Sequence, residues 1–153
     1  MNIAIVGTGY VGLVTGTTLA ELGNTVYCVD IDETKVENMK KGIVPIYEPG
    51  LEEIFLRNIQ ANRLFFTTQL KEALDKCDVI YLALPTPPGE DGSADLSYVL
   101  KVSENIGELM TSYKVIVNKS TVPVGTANRV RETISAKTEI PFDVVSNPEF
   151  LRE

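Results

Sequence analysis

The run Gly7-Thr8-Gly9-Tyr10-Val11-Gly12 sits between an apolar stretch, Asn2-Ile3-Ala4-Ile5-Val6, and a helix-like stretch over residues 11–22. Three glycines at this spacing, after a strand and at the start of a helix, leave few folds open. The first permits a tight turn, the second lets backbone approach a pyrophosphate, and the third lets the helix pack on the strand. The helix start then offers N–H groups and the positive end of its dipole to an anion. The pattern is that of a dinucleotide-binding turn, with Gly7, Gly9, Tyr10, Val11 and Gly12 as its residues.

The next apolar run, Thr25-Val26-Tyr27-Cys28-Val29, ends in Asp30. It lies about 20 residues downstream of the turn, where a carboxylate accepts hydrogen bonds from the adenosine ribose hydroxyls. The same charge repels a 2′-phosphate, and no arginine follows at Ile31 or Asp32. NAD is therefore expected in preference to NADP. An aspartate that merely caps a turn is the plainer reading, and the alignment of strand, turn, helix and acidic strand end weighs against it.

The 153 residues suffice for one domain with a proper core. With 21 acidic against 14 basic residues the net charge is −7, which argues against nucleic acid or an anionic membrane as partner. An anionic cofactor stays compatible, because backbone amides at a helix start bind phosphate locally. No window is apolar for long enough to span a bilayer, and Met1-Asn2-Ile3 opens a strand rather than a signal peptide, so a cytoplasmic location is expected. Cys28 and Cys77 lie in or beside apolar strands, with neither CxxC spacing nor any histidine in the chain. Buried thiols are expected there, and no metal site.

After Asp30, helix and strand alternate without an internal repeat. The pattern predicts a short helix from residue 36 that stops at Gly42, a Pro-containing loop over 43–50, and a helix over 51–59. Strands follow at 64–67, 79–84, 114–118 and 143–146, separated by helices over 70–76, 96–110 and 124–134. Six strands in a βαβ series imply an α/β fold with a doubly wound, Rossmann-like parallel sheet of order 3-2-1-4-5-6. Ligands bind such sheets outside the carboxyl ends of the strands.

Unusual residues gather at those ends. The fourth strand runs into Leu84-Pro85-Thr86-Pro87-Pro88-Gly89, beside the first strand at the switch point, so Thr86 is a candidate cofactor contact; plain loop punctuation is the alternative. The fifth runs into Lys119-Ser120-Thr121-Val122-Pro123, where Ser120 or Thr121 is expected to cap a helix that Pro123 helps to start, with the Thr121 hydroxyl toward the nicotinamide end of the cleft. The sixth runs into Asn147-Pro148-Glu149-Phe150-Leu151-Arg152-Glu153, which looks like another helix start. Glu149 and Glu153 are four apart, so in a helix both carboxylates share a face, which costs repulsion unless a cation or ligand sits between them. Paired carboxylates there are candidate acid–base groups.

With these segments, and with Pro45-Ile46-Tyr47-Glu48-Pro49-Gly50-Leu51, the chain resembles the amino-terminal domain of the UDP-glucose 6-dehydrogenases, in the nucleotide-sugar 6-dehydrogenase family, over its whole length. The resemblance implies oxidation of a sugar C6 alcohol to a carboxylate in two NAD-dependent steps, through a thiohemiacetal and a thioester on a cysteine. It implies NAD contacts at Val11, Asp30, Lys35, Thr86, Thr121 and Glu153. Thr121 and Glu149 are implied as catalytic groups that position or activate water, and Glu149, Phe150, Leu151, Arg152 and Glu153 as contacts to the sugar nucleotide. A glutamate beside a hydrolytic water makes chemical sense as a general base. Glu48 is expected to be structural, in a Glu-Pro-Gly turn.

The family's cysteine, in a Gly-Phe-Gly-Gly-x-Cys run, does not occur among the 153 residues, nor do the helical dimerisation region and the sugar-nucleotide domain that the resemblance implies. The helix-like stretch that ends at Glu153 has no stop signal, which leads us to expect a piece of a longer protein. The whole protein is expected to be a homodimer acting on UDP-glucose, and these residues alone to bind NAD weakly and to be inactive. Other readings stay open: a UDP-N-acetylmannosamine or GDP-mannose 6-dehydrogenase, a β-hydroxyacid dehydrogenase, or an NAD-binding module without chemistry.

Overall fold

A computed structural model describes residues 1–89 and 92–149 of the chain. In chain order the elements are β1 (Asn2–Val6), α1 (Tyr10–Glu21), β2 (Thr25–Val29), α2 (Glu33–Lys40), α3 (Leu51–Gln60), β3 (Leu64–Thr67), α4 (Leu70–Lys76), β4 (Val79–Leu82), α5 (Ser97–Leu109), β5 (Lys114–Asn118), α6 (Thr126–Ser135) and β6 (Phe142–Ser146). All six strands form one sheet in the order β3-β2-β1-β4-β5-β6, and every neighbouring pair is parallel. This is the doubly wound arrangement that the sequence pattern predicts. Because β1 lies between β2 and β4, the turn after β1 stands at the point where the chain switches from one half of the sheet to the other.

The pleat of β1 shows how the layers form. Ile3 and Ile5 enter a core completed by Leu13 and Ala20 of α1, Val36 and Met39 of α2 and Phe55 of α3. Ala4 and Val6, on the opposite face, enter a core with Ala73 and Leu74 of α4, Val99 and Ile106 of α5 and Val130 and Ile134 of α6. A strand buried on both faces reads as a continuous apolar run rather than an alternating one, which is what Ile3-Ala4-Ile5-Val6 is. Cys28 belongs to the first core and Cys77 to the second, and burial pushes each thiol up to about 12. No helix among the described residues is long and apolar enough to cross a membrane.

Three predicted boundaries move by two residues or more, each for a local reason. α2 starts at Glu33 rather than at residue 36, because Asp32 caps it by accepting the Lys35 N–H at 3.0 Å; its polar first turn carries no apolar period. β4 ends at Leu82, since the Leu84 N–H goes to the Ser120 hydroxyl at 2.9 Å. The expected cap of α6 by Ser120 or Thr121 does not form. The helix begins at Thr126 after Gly125, which sits at φ 92° with no side-chain cap, and both hydroxyls are used elsewhere.

Candidate functional site

The glycine turn is built by close contacts. Gly7 has φ 98°, and a Cβ added to it would lie 2.3 Å from the Ala83 carbonyl oxygen, at the exit of β4. A Cβ on Gly12 would lie 2.0 Å from the Gly7 carbonyl oxygen. Gly9 differs: a Cβ there would meet nothing within 4 Å, although φ −66° and ψ −172° would allow one. The protein therefore does not itself require glycine at position 9, and an open approach to the backbone is what a pyrophosphate needs. The first-turn N–H groups of α1 have no partner inside the helix, so the open face carries donors. Tyr10 is half exposed and Val11 partly buried beside it.

Asp30 follows β2 directly. Its Oδ2 accepts the Thr8 N–H at 3.1 Å and the Lys35 ammonium at 3.0 Å, and also the Thr8 hydroxyl, while Oδ1 accepts the Asp32 N–H at 3.1 Å. Burial raises this carboxyl, but the hydrogen bonds from Thr8, Lys35 and Asp32 and the Lys35 charge outweigh it, and the group titrates below the ordinary aspartate range. The carboxylate is thus ionised and locked to the turn between Gly7 and Gly9. Thr8, fully buried, is a partner of Asp30 that sequence reasoning missed: an "x" between two glycines carries no signal of its own. Lys35, expected near the ribose, stands beside Asp30.

On the other half of the sheet, three strand ends are stitched together. The Ser120 hydroxyl, besides accepting from Leu84 N–H, lies within donating distance of the Leu84 and Leu82 carbonyls at 2.8 and 3.2 Å. The Thr86 hydroxyl donates to the Thr121 carbonyl at 3.0 Å, and the Thr121 hydroxyl donates to the Glu149 carbonyl at 3.2 Å. The Asn147 N–H donates to the Asn118 carbonyl at 2.9 Å. Thr86, Thr121 and Glu149, singled out from three separate stretches of sequence, form one hydrogen-bonded chain along the carboxyl edge. Lys119 joins them, its Nζ 3.5 Å from Glu149 Oε2, and this partner was not foreseen. Asn118 is buried beneath the same edge, and neither polar atom of its side chain has a hydrogen-bond partner among the described residues.

Phe150, Leu151, Arg152 and Glu153 lie outside the described residues, and so does the expected sharing of a helix face by Glu149 and Glu153. Glu48 occupies the turn expected of it: the Leu51 N–H donates to its carbonyl at 3.0 Å, and Gly50 sits at φ 82°.

The two halves of the edge touch through Ala83, whose N–H donates to Val6 and whose carbonyl crowds Gly7. A glycine turn with open N–H groups, an ionised carboxylate at the next strand end and a polar edge beyond form the outline of a dinucleotide cleft. The sequence profile described as "UDP-glucose/GDP-mannose dehydrogenase family, NAD binding domain" matches residues 1–153. The UDP-glucose 6-dehydrogenase TuaD of Bacillus subtilis is 53% identical over 154 residues, covering 99% of this chain and 33% of that protein. Among solved structures, a UDP-glucose dehydrogenase from Pyrobaculum islandicum superposes with a TM-score of 0.93 at 39% identity, over 99% of this chain and 36% of that one. A GDP-mannose dehydrogenase from Pseudomonas aeruginosa gives 0.90 at 37% identity, over 100% and 37%. The chain spans about a third of the length of each of these relatives. It belongs to the UDP-glucose/GDP-mannose dehydrogenase family and is that family's NAD-binding domain.

Proposed function

We propose that these residues form the cofactor-binding third of a UDP-glucose 6-dehydrogenase, which oxidises the C6 alcohol of UDP-glucose to a carboxylate. The observation that carries this reading is the hydrogen-bonded chain Thr86–Thr121–Glu149 on the same sheet edge as the glycine turn. On this reading the Glu149 carboxylate and the Thr121 hydroxyl would stand at the nicotinamide end expected for this fold. NAD, when bound, supplies the hydride acceptor. Gly7, Gly9, Tyr10, Val11 and Gly12 would hold its pyrophosphate, Asp30 and Lys35 its adenosine ribose, and Thr86 and Thr121 its far end. Glu149 would take a proton from the water that hydrolyses the acyl intermediate, as a general base within hydrogen-bond reach.

The nucleophile this scheme requires is a cysteine outside these 153 residues; Cys28 and Cys77 are buried in the two cores and face no cleft chemistry. A second reading, a GDP-mannose dehydrogenase, is favoured by the nearly equal structural match to the Pseudomonas protein. The decisive experiment follows NADH formation by the complete gene product with UDP-glucose, GDP-mannose and UDP-N-acetylmannosamine in turn. Two NADH per UDP-glucose are expected; turnover of another sugar nucleotide alone would replace the substrate, and turnover of none would leave an NAD-binding module.

A further inference from the structure

Three consecutive side chains leave the end of β5, one toward the exit of β4 and two toward Glu149. Ser120 ties to the exit of β4 through Leu82 and Leu84. Thr121 holds the Glu149 carbonyl at 3.2 Å, and Lys119 stands 3.5 Å from Glu149 Oε2. Glu149 is thus gripped at its main chain and at its carboxylate by residues only two apart in sequence. The Lys119 N–H, donated to the Leu82 carbonyl at 2.9 Å, fixes the base of the lysine on the sheet.

This pair is unlike the lysine pairs on the helix surfaces. Its side chains are 18% and 25% exposed, whereas the lysines paired with a carboxylate of their own helix, in α2, α4 and α5, are 45% to 68% exposed. Exposed pairs contribute little, because solvent and salt screen them; a shielded pair is screened much less. Among the described residues Oε1 of Glu149 has no hydrogen-bond or ion-pair partner, while Oε2 has Lys119. Among the described residues, then, one oxygen is tethered and the other has no partner.

We infer that Lys119 is the positioning residue for the Glu149 carboxylate, tethering Oε2 so that Oε1 meets the reacting water; this rests on the reading of Glu149 given above. A general base must lie within hydrogen-bond reach of the proton it takes, and a glutamate left untethered spreads over its rotamers. Lys119 acts through Glu149 and not on NAD, so its loss falls on kcat and spares cofactor affinity.

The test uses the complete gene product and four variants, Lys119→Met, Lys119→Arg, Glu149→Gln and the Lys119→Met/Glu149→Gln double. Lys119→Met should lower kcat roughly 10- to 100-fold, the scale of a misplacement of about 1 Å, with NAD affinity by calorimetry unchanged, which also reports that the domain is folded. Lys119→Arg should recover most of the rate, and the double variant should fall no further than Glu149→Gln, because residues acting as one unit are not additive. Parental kcat in Lys119→Met, a double variant whose loss is the product of the two single losses, or a loss of NAD affinity matching the loss of kcat would each overturn the inference. If Glu149→Gln itself keeps the parental kcat, the general-base reading falls first and the inference falls with it.

Discussion

Gly7 and Gly9 stand two residues apart and are constrained by different things. Gly7 is required by the fold, since its φ of 98° and the Ala83 carbonyl 2.3 Å from any Cβ leave no room for a side chain. Gly7→Ala should lower unfolding stability by about 1–3 kcal/mol in urea titrations. Gly9→Ala, with nothing within 4 Å, should stay within about 0.5 kcal/mol of the parent yet weaken NAD binding measured by calorimetry. Unchanged affinity would mean that the second glycine does not face the cofactor. Asp30 carries a pH dependence of known sign. Its folded carboxyl titrates below the ordinary aspartate value, so its stabilisation is complete above about pH 4 and is lost as the pH falls through the folded value. Asp30→Asn should therefore flatten the loss of stability on acidification, read as the urea midpoint from neutral pH downward.

At the scale of elements, α1 and α3 are fastened by a polar knot at the edge away from the cleft. Asn58, buried in α3, donates to Glu21 Oε2 at 2.6 Å and to the Ile54 carbonyl at 2.7 Å, and accepts from Arg63 at 2.8 Å. Glu21 also meets Arg57 at 2.7 Å. Replacing Asn58 by Ala removes its hydrogen bonds to the charged Glu21 and Arg63, at a cost of about 1.5–3 kcal/mol, and the loss should appear in the urea midpoint without any change in NAD affinity. Element types were legible in the sequence wherever an apolar period was strong: β1, β3, α4 and β5 lie where the pattern put them. Where polar residues set the boundary, it failed. Asp32 begins α2 through a side-chain bond that periodicity ignores, and Gly125 delays α6 beyond the start that Pro123 suggested.

The whole molecule is a sheet with two cores, and its carboxyl edge has two halves, one that would bind and one that would react. NAD should raise the thermal midpoint of residues 1–153 by itself, since a ligand at about 100 times its Kd stabilises by about 2.7 kcal/mol. NADP should raise it far less, because Asp30 repels a 2′-phosphate. With UDP-glucose added, the same residues should form no NADH, for want of a thiol facing the cleft; NADH formed by them alone would refute the division of labour proposed here.

The order and type of the elements, the glycine turn and the acidic strand end all follow from the sequence, because each is a local matter of period, spacing and backbone freedom. The partners of the side chains at the site do not. Thr8 with Asp30, Ser120 with Leu84, Thr121 with Glu149 and Lys119 with Glu149 join residues 22 to 36 positions apart. Such pairs meet only because β2 lies beside β1, and β5 between β4 and β6. A lysine at a strand end reads the same whether it is solvated or tethered to a carboxylate, and only the packing of the neighbouring strand distinguishes the two.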